Sequence, residues 1–411
     1  MYRRFALFVM LFSSYQNIFS QSRDLNFYLQ NGIANSPLLK DYSNLQQQNR
    51  IDSMLVLAQK KISVSVDGLV QIAPVINGIG YEEQISNRGQ YAAVVGANQP
   101  IFQSKMVNGQ LNSVHIQSQM ISANQKISQR ELEKAITDQY LTSYHSISEM
   151  QFQQQTISSL QNQEKILKEL VNSGIYLETD YLTLQLQIQT EKINLKQMQD
   201  DYRSNLYALN ALCGIADTTT LQIEKPDLVW KGASTNANPN LLLYSLDSFS
   251  IEASKDLLHF NYVPKVNLHG DAGYMAIPAD FSVKKFGFSA GVSLAWNIYD
   301  GSKKNLQMQQ FSVQQSTYSF YKSNYSLRLS MQLADLEKKL QSSNEIISQW
   351  QNQIKDMNKL LSMRRDQMES GQLSMIDYLL LIRSYRDLQK NLNDAEMKQQ
   401  QIISEHNYLL W

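Results

Sequence analysis

A single cysteine, Cys213, stands in 411 residues, so neither an intrachain disulfide nor a multi-cysteine metal site can form. The chain has no charge excess: 37 basic residues balance 37 acidic ones, which withholds the positive footprint that a nucleic-acid binder needs. Charged residues amount to 18%, against a usual quarter. Past the N-terminus there is no run of 18 apolar residues, which excludes a membrane-spanning helix there. The five histidines (His115, His145, His259, His269 and His406) have no metal-ligand spacing, and no P-loop or dinucleotide fingerprint occurs. No enzyme, cofactor or metal site is expected on these grounds.

Glutamine takes the place of charge. There are 46 Gln, and only Gln222 falls between positions 201 and 300, so the bias belongs to segments. Glutamine forms helices well without charge, which suggests long uncharged-polar helices. Residues 1–20 read as an export signal: Arg3 and Arg4, a short apolar core over 5–12, then Ile18-Phe19-Ser20 as a cleavage site. A buried N-terminal helix is the plainer alternative.

Two similar halves follow. In the first, 21–61 reads as a helix with a possible break at Asn35-Ser36-Pro37, and 62–103 as a strand pair. In 62–72, Ile62, Val64, Val66, Val70 and Ile72 share one side, opposite Ser63, Ser65, Asp67 and Gln71. The second strand, near 89–99, is expected to end at Pro100, which would release its ladder. Residues 104–214 read as a helical hairpin turning at Asn172-Ser173-Gly174; its first arm, to 172, contains no proline and only Gly109. Such a helix would be about 100 Å long, which implies a coiled coil or a helical barrel. Residues 215–240 read as a small strand-containing connector.

The second half repeats the order: helix 241–263, strand pair 264–301 and helical hairpin 302–411. In its first strand Val266, Leu268, Ala272 and Tyr274 oppose Lys265, Asn267, His269 and Asp271. In its second, over 288–298, Phe288, Ala290, Val292, Leu294, Trp296 and Ile298 face one way. The match is quantitative: 95–102 (VGANQPIF) lies 197 residues before 292–299 (VSLAWNIY). At the same offset Ser173-Gly174 maps on Ser370-Gly371, and Asp180-Tyr181-Leu182 on Asp377-Tyr378-Leu379. Two distant anchors at one offset mean an internal two-fold repeat with equal helix lengths. Four strands cannot close a membrane barrel, whose known minimum is eight, so the chain must oligomerise through them. Three copies supply twelve strands and two supply eight; the trimer is the favoured count.

The proline-ended strand 97–102 (ANQPIF), its mate 296–302 (WNIYDGS), the two Ser-Gly turns with their Asp-Tyr-Leu helix starts, and the helix end 209–214 (LNALCG) together resemble the outer-membrane efflux protein family. These are the TolC-like exit channels of tripartite efflux and type I secretion systems. The resemblance implies a mainly α protein with membrane β structure: a trimeric α-barrel plus a 12-stranded β-barrel contributed by four strands per protomer. It implies a homotrimer in outer-membrane lipid with a tunnel projecting into the periplasm. It also implies a periplasmic adaptor (membrane fusion) protein and an inner-membrane RND or ABC pump as partners, and no catalysis or cofactor. Such a channel would passively conduct small molecules, drugs included, or peptides to the exterior.

By the same resemblance, Ser173, Gly174, Ser370 and Gly371 form the adaptor-docking tip, although helix termination alone accounts for the glycines. Asp180 and Asp377 begin the returning helices, where acids favour the positive helix end. In a trimer they would form carboxylate rings of a periplasmic gate. Asp377 corresponds to a family gate acid. The second gate acid, one turn on, is Leu380 here, which implies a weaker or partly hydrophobic constriction. Arg364 and Arg365 could hold neighbouring helix pairs closed by ion pairs, or pair at the surface without consequence. Pro100, Phe102, Trp296 and Tyr299 mark the barrel–tunnel junction, with ordinary packing as the alternative for the aromatics. The rival reading is an exported structural or adhesive coiled-coil protein without a pore.

Overall fold

The structure, a computed structural model, describes residues 23–82, 86, 89–101, 103–232, 238–277 and 285–411. The export signal expected over 1–20 and the junction residue Phe102 lie outside them. Among the described residues, seven helices and four strands follow one another in the order read from the sequence. They are α1 (Leu25–Asn35), α2 (Pro37–Ala58), β1 (Ser63–Ile72), β2 (Gly89–Ile101), α3 (Ser104–Asn172), α4 (Glu178–Leu212), α5 (Pro239–Phe260), β3 (Lys265–Ala276), β4 (Phe286–Ala295), α6 (Lys303–Glu369) and α7 (Met375–Leu409). Two compact units share this chain. One draws on Met1–Ser36, Arg130–Ala233 and Leu333–Leu410, the other on Pro37–Gln129, Ser234–Gln332 and Trp411.

The second unit carries the sheet, antiparallel throughout in the order β1-β2-β3-β4, so β2 and β3 join the two halves of the repeat. Facing residues across such a ladder point to the same side. Val66, Val95, Ala272 and Phe288 stand opposite one another, and so do Val64, Ala97, Gly270 and Ala290. The intervening row is Ser65, Gly96, Asp271 and Ser289. The apolar sides of the separate strands therefore merge into one apolar face. It is uncovered: Val64, Val66, Val70, Val292 and Leu294 are exposed, and Phe288 is 89% exposed. On the polar face Ser65 and Ser289 donate to the carboxylates of Asp67 and Asp271.

Pro100 does not end β2, contrary to expectation; the strand continues to Ile101. Pairing with β1 stops at Ser63–Asn98, whereas pairing with β3 continues through Pro100–Asn267 and Ile101–Val266. Proline lacks only its own donor, so it is tolerated where one neighbour has already left. The last strand is also displaced. It spans Phe286–Ala295 instead of 288–298, which leaves Trp296 and Ile298 beyond its end. The connector forms no strand among its described residues, only a single parallel bridge between Arg23 and Ile223.

Local signals set the helix starts. Asp24 accepts the Phe27 N–H at 2.8 Å, and Asn238 accepts the Asn240 N–H at 2.9 Å with Pro239 following at the first helical position. Ser36 separates α1 from α2 because the residue before a proline is driven out of the helical region. In the first unit, α3 buries Ile136, Tyr140, Ile147, Ile157, Leu160 and Leu167, at spacings built from threes and fours. Tyr28, Tyr202, Leu206, Leu209, Cys213 and Ile223 close one core around Ile136 and Tyr140. Burial pushes the Cys213 thiol up to about 11, so it behaves as a small hydrophobe. In the second unit α6 is bare by contrast: Leu306, Val313, Phe320 and Leu327 recur every seven residues and all are exposed. Among the described residues no helix is long and apolar enough to cross a membrane.

Candidate functional site

The two Ser-Gly turns are built alike. Gly174 (φ 73°) donates to Val171 O at 3.0 Å and Ile175 to Leu170 O at 2.9 Å. Gly371 (φ 75°) donates to Met368 O at 3.0 Å and Gln372 to Gln367 O at 2.8 Å. This paired pattern is the Schellman cap, which needs a left-handed residue and so selects glycine. Ser173 and Ser370 each donate to a carbonyl in the turn before, Glu169 O at 2.9 Å and Gln367 O at 3.1 Å. All four tip residues are exposed.

The fold brings the two turns together. The Tyr176 hydroxyl is 2.8 Å from Met368 O and also bonds Leu373 O, its own counterpart in the repeat. Beneath them Leu160, Leu167, Leu184, Ile188, Met368, Met375 and Tyr378 form a second core. The turns differ in their room for a side chain. A Cβ on Gly371 would stand 2.7 Å from Ile175 Cγ2, while one on Gly174 would meet nothing within 4 Å. Gly174→Ala is therefore expected to cost about 1 kcal/mol from the left-handed backbone alone. Gly371→Ala is expected to cost about 1 kcal/mol more from overpacking. Denaturant unfolding of both variants checks this, and equal losses would refute the packing difference.

The two acids expected at a gate, Asp180 and Asp377, are not equivalent. The Asp180 carboxylate accepts the Leu177 N–H at 3.2 Å and so caps α4. At the start of α7 that task falls to Ser374, whose hydroxyl accepts the Ile376 N–H at 3.2 Å. Asp377 is exposed and, among the described residues, has no side-chain hydrogen bond. Leu380 lies one turn along, 53% exposed. Arg364 and Arg365 are exposed; Arg364 donates to Gln367 at 3.0 Å, and neither forms an ion pair among the described residues. At the other end of α6, Trp296 donates to Tyr262 O at 3.1 Å and Tyr299 stands exposed.

Sequence reasoning overlooked Glu191. It is 2% exposed on α4, in the seam that also buries Leu184 and Ile188. It accepts from Gln153 of α3 at 2.8 Å, Asn194 at 3.2 Å, Gln187, and Arg386 of α7 at 2.9 Å. Burial opposes its ionisation, but these hydrogen bonds and the Arg386 charge together hold the carboxyl below its ordinary value. The signal was legible: a carboxylate three residues after Ile188, in a position the helical spacing reserves for apolar side chains.

Residues 75–215 match the family model described as outer membrane efflux protein. Solved structures extend the likeness to nearly the whole chain. CusC, studied for the conformational changes accompanying folding and transmembrane channel formation, is 14% identical with a TM-score of 0.77, covering 97% of this chain and 95% of its own. The outer membrane protein VceC of Vibrio cholerae is 11% identical with a TM-score of 0.72, over 94% and 95%. The open-state outer membrane channel MtrE of Neisseria gonorrhoeae is 12% identical with a TM-score of 0.70, over 94% and 88%. No curated protein sequence matches. The family resemblance read from the motifs is borne out, and the fold of this chain is that of these outer-membrane proteins.

Proposed function

We propose that this chain belongs to the outer membrane efflux protein family and is one protomer of the passive exit channel of a tripartite export system. The observation that carries the reading is the four-stranded sheet, with one face predominantly apolar and largely exposed and its outer strands β1 and β4 each paired on one side only. Lipid accepts such a face, but only a closed barrel removes the edges. Three copies give twelve strands, and the exposed heptad stripe on α6 supports the same association, since a period of seven marks a helix seam that wants a partner helix.

Under this reading 1–20 directs export, 62–103 and 264–301 enter the outer membrane, and the hairpins 104–214 and 302–411 form the periplasmic tunnel. Helices 21–61 and 241–263 line the long arms, and 215–240 girdles the tunnel. The tip at Ser173, Gly174, Ser370 and Gly371 docks a periplasmic adaptor, which connects an inner-membrane pump. Asp377 supplies the gate acid; Asp180 is committed to capping its helix. Small molecules or peptides pass without chemistry.

Single-channel conductance of the detergent-purified protein in a planar bilayer tests the whole. Expected are stable steps from a trimeric species, biased toward cations, with the bias reduced in Asp377→Asn because three carboxylates leave the constriction. Silence that persists after Arg364→Ala and Arg365→Ala, from soluble elongated monomers or dimers, would instead favour the exported coiled-coil reading.

A further inference from the structure

The histidines show no metal-ligand spacing among themselves, yet within the first unit the fold brings three donors from both halves of the repeat to one point. His145 and Glu149 lie one turn apart on α3, and Asp394 comes from α7. His145 Nε2 is 3.1 Å from Asp394 Oδ1 and 3.7 Å from Glu149 Oε2, and the three donor atoms lie within 4.8 Å of one another. The histidine and Glu149 are half-buried while Asp394 is exposed, so the cluster is fixed on one side and open on the other. Of the three, His145 also lines a cleft of about 240 Å³, together with Tyr144, Ser148, Lys225, Gln351 and Glu396.

Two carboxylate oxygens face a single imidazole nitrogen, which carries at most one proton and cannot direct it at both. A metal ion satisfies all three at once. Nitrogen and oxygen ligands at roughly 2.0–2.2 Å in a tetrahedron stand about 3.4 Å apart, and the observed 3.1 and 3.7 Å bracket that spacing. One imidazole with two carboxylates suits the zinc class better than calcium or magnesium, which call for fuller oxygen shells. Nor is the cluster a by-product of the repeat. At the 197-residue offset the three positions correspond to Ser342, Ile346 and Gln197, none of them a usual metal ligand.

We infer that His145, Glu149 and Asp394 form one site per chain for a divalent transition metal of the zinc class. Water from the exposed Asp394 side completes the coordination, and the ion fastens α3 of the first repeat to α7 of the second. The test uses untagged, full-length, detergent-purified protein stripped with a chelator. Calorimetric titration with Zn²⁺ should give one equivalent per chain and a raised Tm, and Co²⁺ should give the visible absorption of a low-coordinate site, displaced by Zn²⁺. Asp394→Asn and His145→Gln should each weaken Zn²⁺ binding at least tenfold while leaving the metal-free Tm near that of the parent. As a check that needs no variant, zinc K-edge absorption of the parent protein should show one imidazole among oxygen ligands. Unchanged binding in the double variant, or a spectrum without imidazole, overturns the assignment and leaves a plain His–Asp contact.

Discussion

Glu191→Ala should lower the stability of the unit built on Met1–Ser36, Arg130–Ala233 and Leu333–Leu410 by about 3 kcal/mol, the low end for breaking a buried pair. The low end applies because Arg386 is partly exposed and recovers some hydration once its partner is gone. The loss has two sources: the ion pair itself, and the buried Gln153 amide, which loses its carboxylate acceptor and keeps only the carbonyl oxygen of residue 191. Glu191→Gln should cost about half as much, since it keeps the shape and some of the donors. The sign of the pH dependence follows from the depressed carboxyl. Its contribution is fully present above the ordinary value of 4.5 and is lost as the pH falls from there through the lower folded value. Thermal unfolding at pH 7 and pH 4 should therefore show a fall in the parent that is smaller in Glu191→Gln. Parallel behaviour of the two proteins would rule out Glu191 as the group responsible. Under the channel reading, the alanine variant should also open more often in a bilayer, because this carboxylate ties α3 and α4 to α7.

The second large effect contrasts two adjacent residues. Phe288→Arg puts a cation in the middle of the apolar face, in the row with Val66, Val95 and Ala272. If that face meets lipid, the substitution costs about 2–4 kcal/mol per chain near the bilayer midplane, and three chains incur it together. The heat-modifiable trimer should then disappear from the outer-membrane fraction. Ser289→Arg turns the same cation to the other side, next to the Asp271 carboxylate that Ser289 bonds, and should assemble normally. Gel migration with and without boiling reads both variants. Equal tolerance would sink the lipid assignment, and equal failure would mean that both faces are packed.

The order of the elements and the strand faces could be read from the sequence because each depends on short-range periodicity. Alternation placed Val66, Ala272 and Phe288 on apolar sides, and the ladder register then aligned them. The 197-residue offset located both Schellman turns, since glycine there is demanded by the backbone alone. Strand ends were less legible. Pro100 blocks only its own donor, so the consequence depends on which neighbour is still present, and that is a tertiary fact. The tip's internal ties escaped notice for the same reason. Tyr176 was an unremarked aromatic until the fold set its hydroxyl against Met368 and Leu373, and Asp180 became distinguishable from Asp377 only when each helix start revealed which side chain caps it. His145 and Asp394 belong to different repeats, so no local spacing could pair them.

The two outer strands of the sheet have a consequence for the life of the newly made chain. A solitary copy carries two rows of unpaired amides and carbonyls beside an apolar face, which is the template that drives strands to recruit whatever strand comes next. Under the channel reading the right partner is another copy of itself, so scarcity of copies prolongs the hazard and abundance shortens it. Unfolding midpoints should accordingly rise with protein concentration, as they do when the folded state exists only as an assembly. Any factor that shields those edges in transit would matter most at low expression.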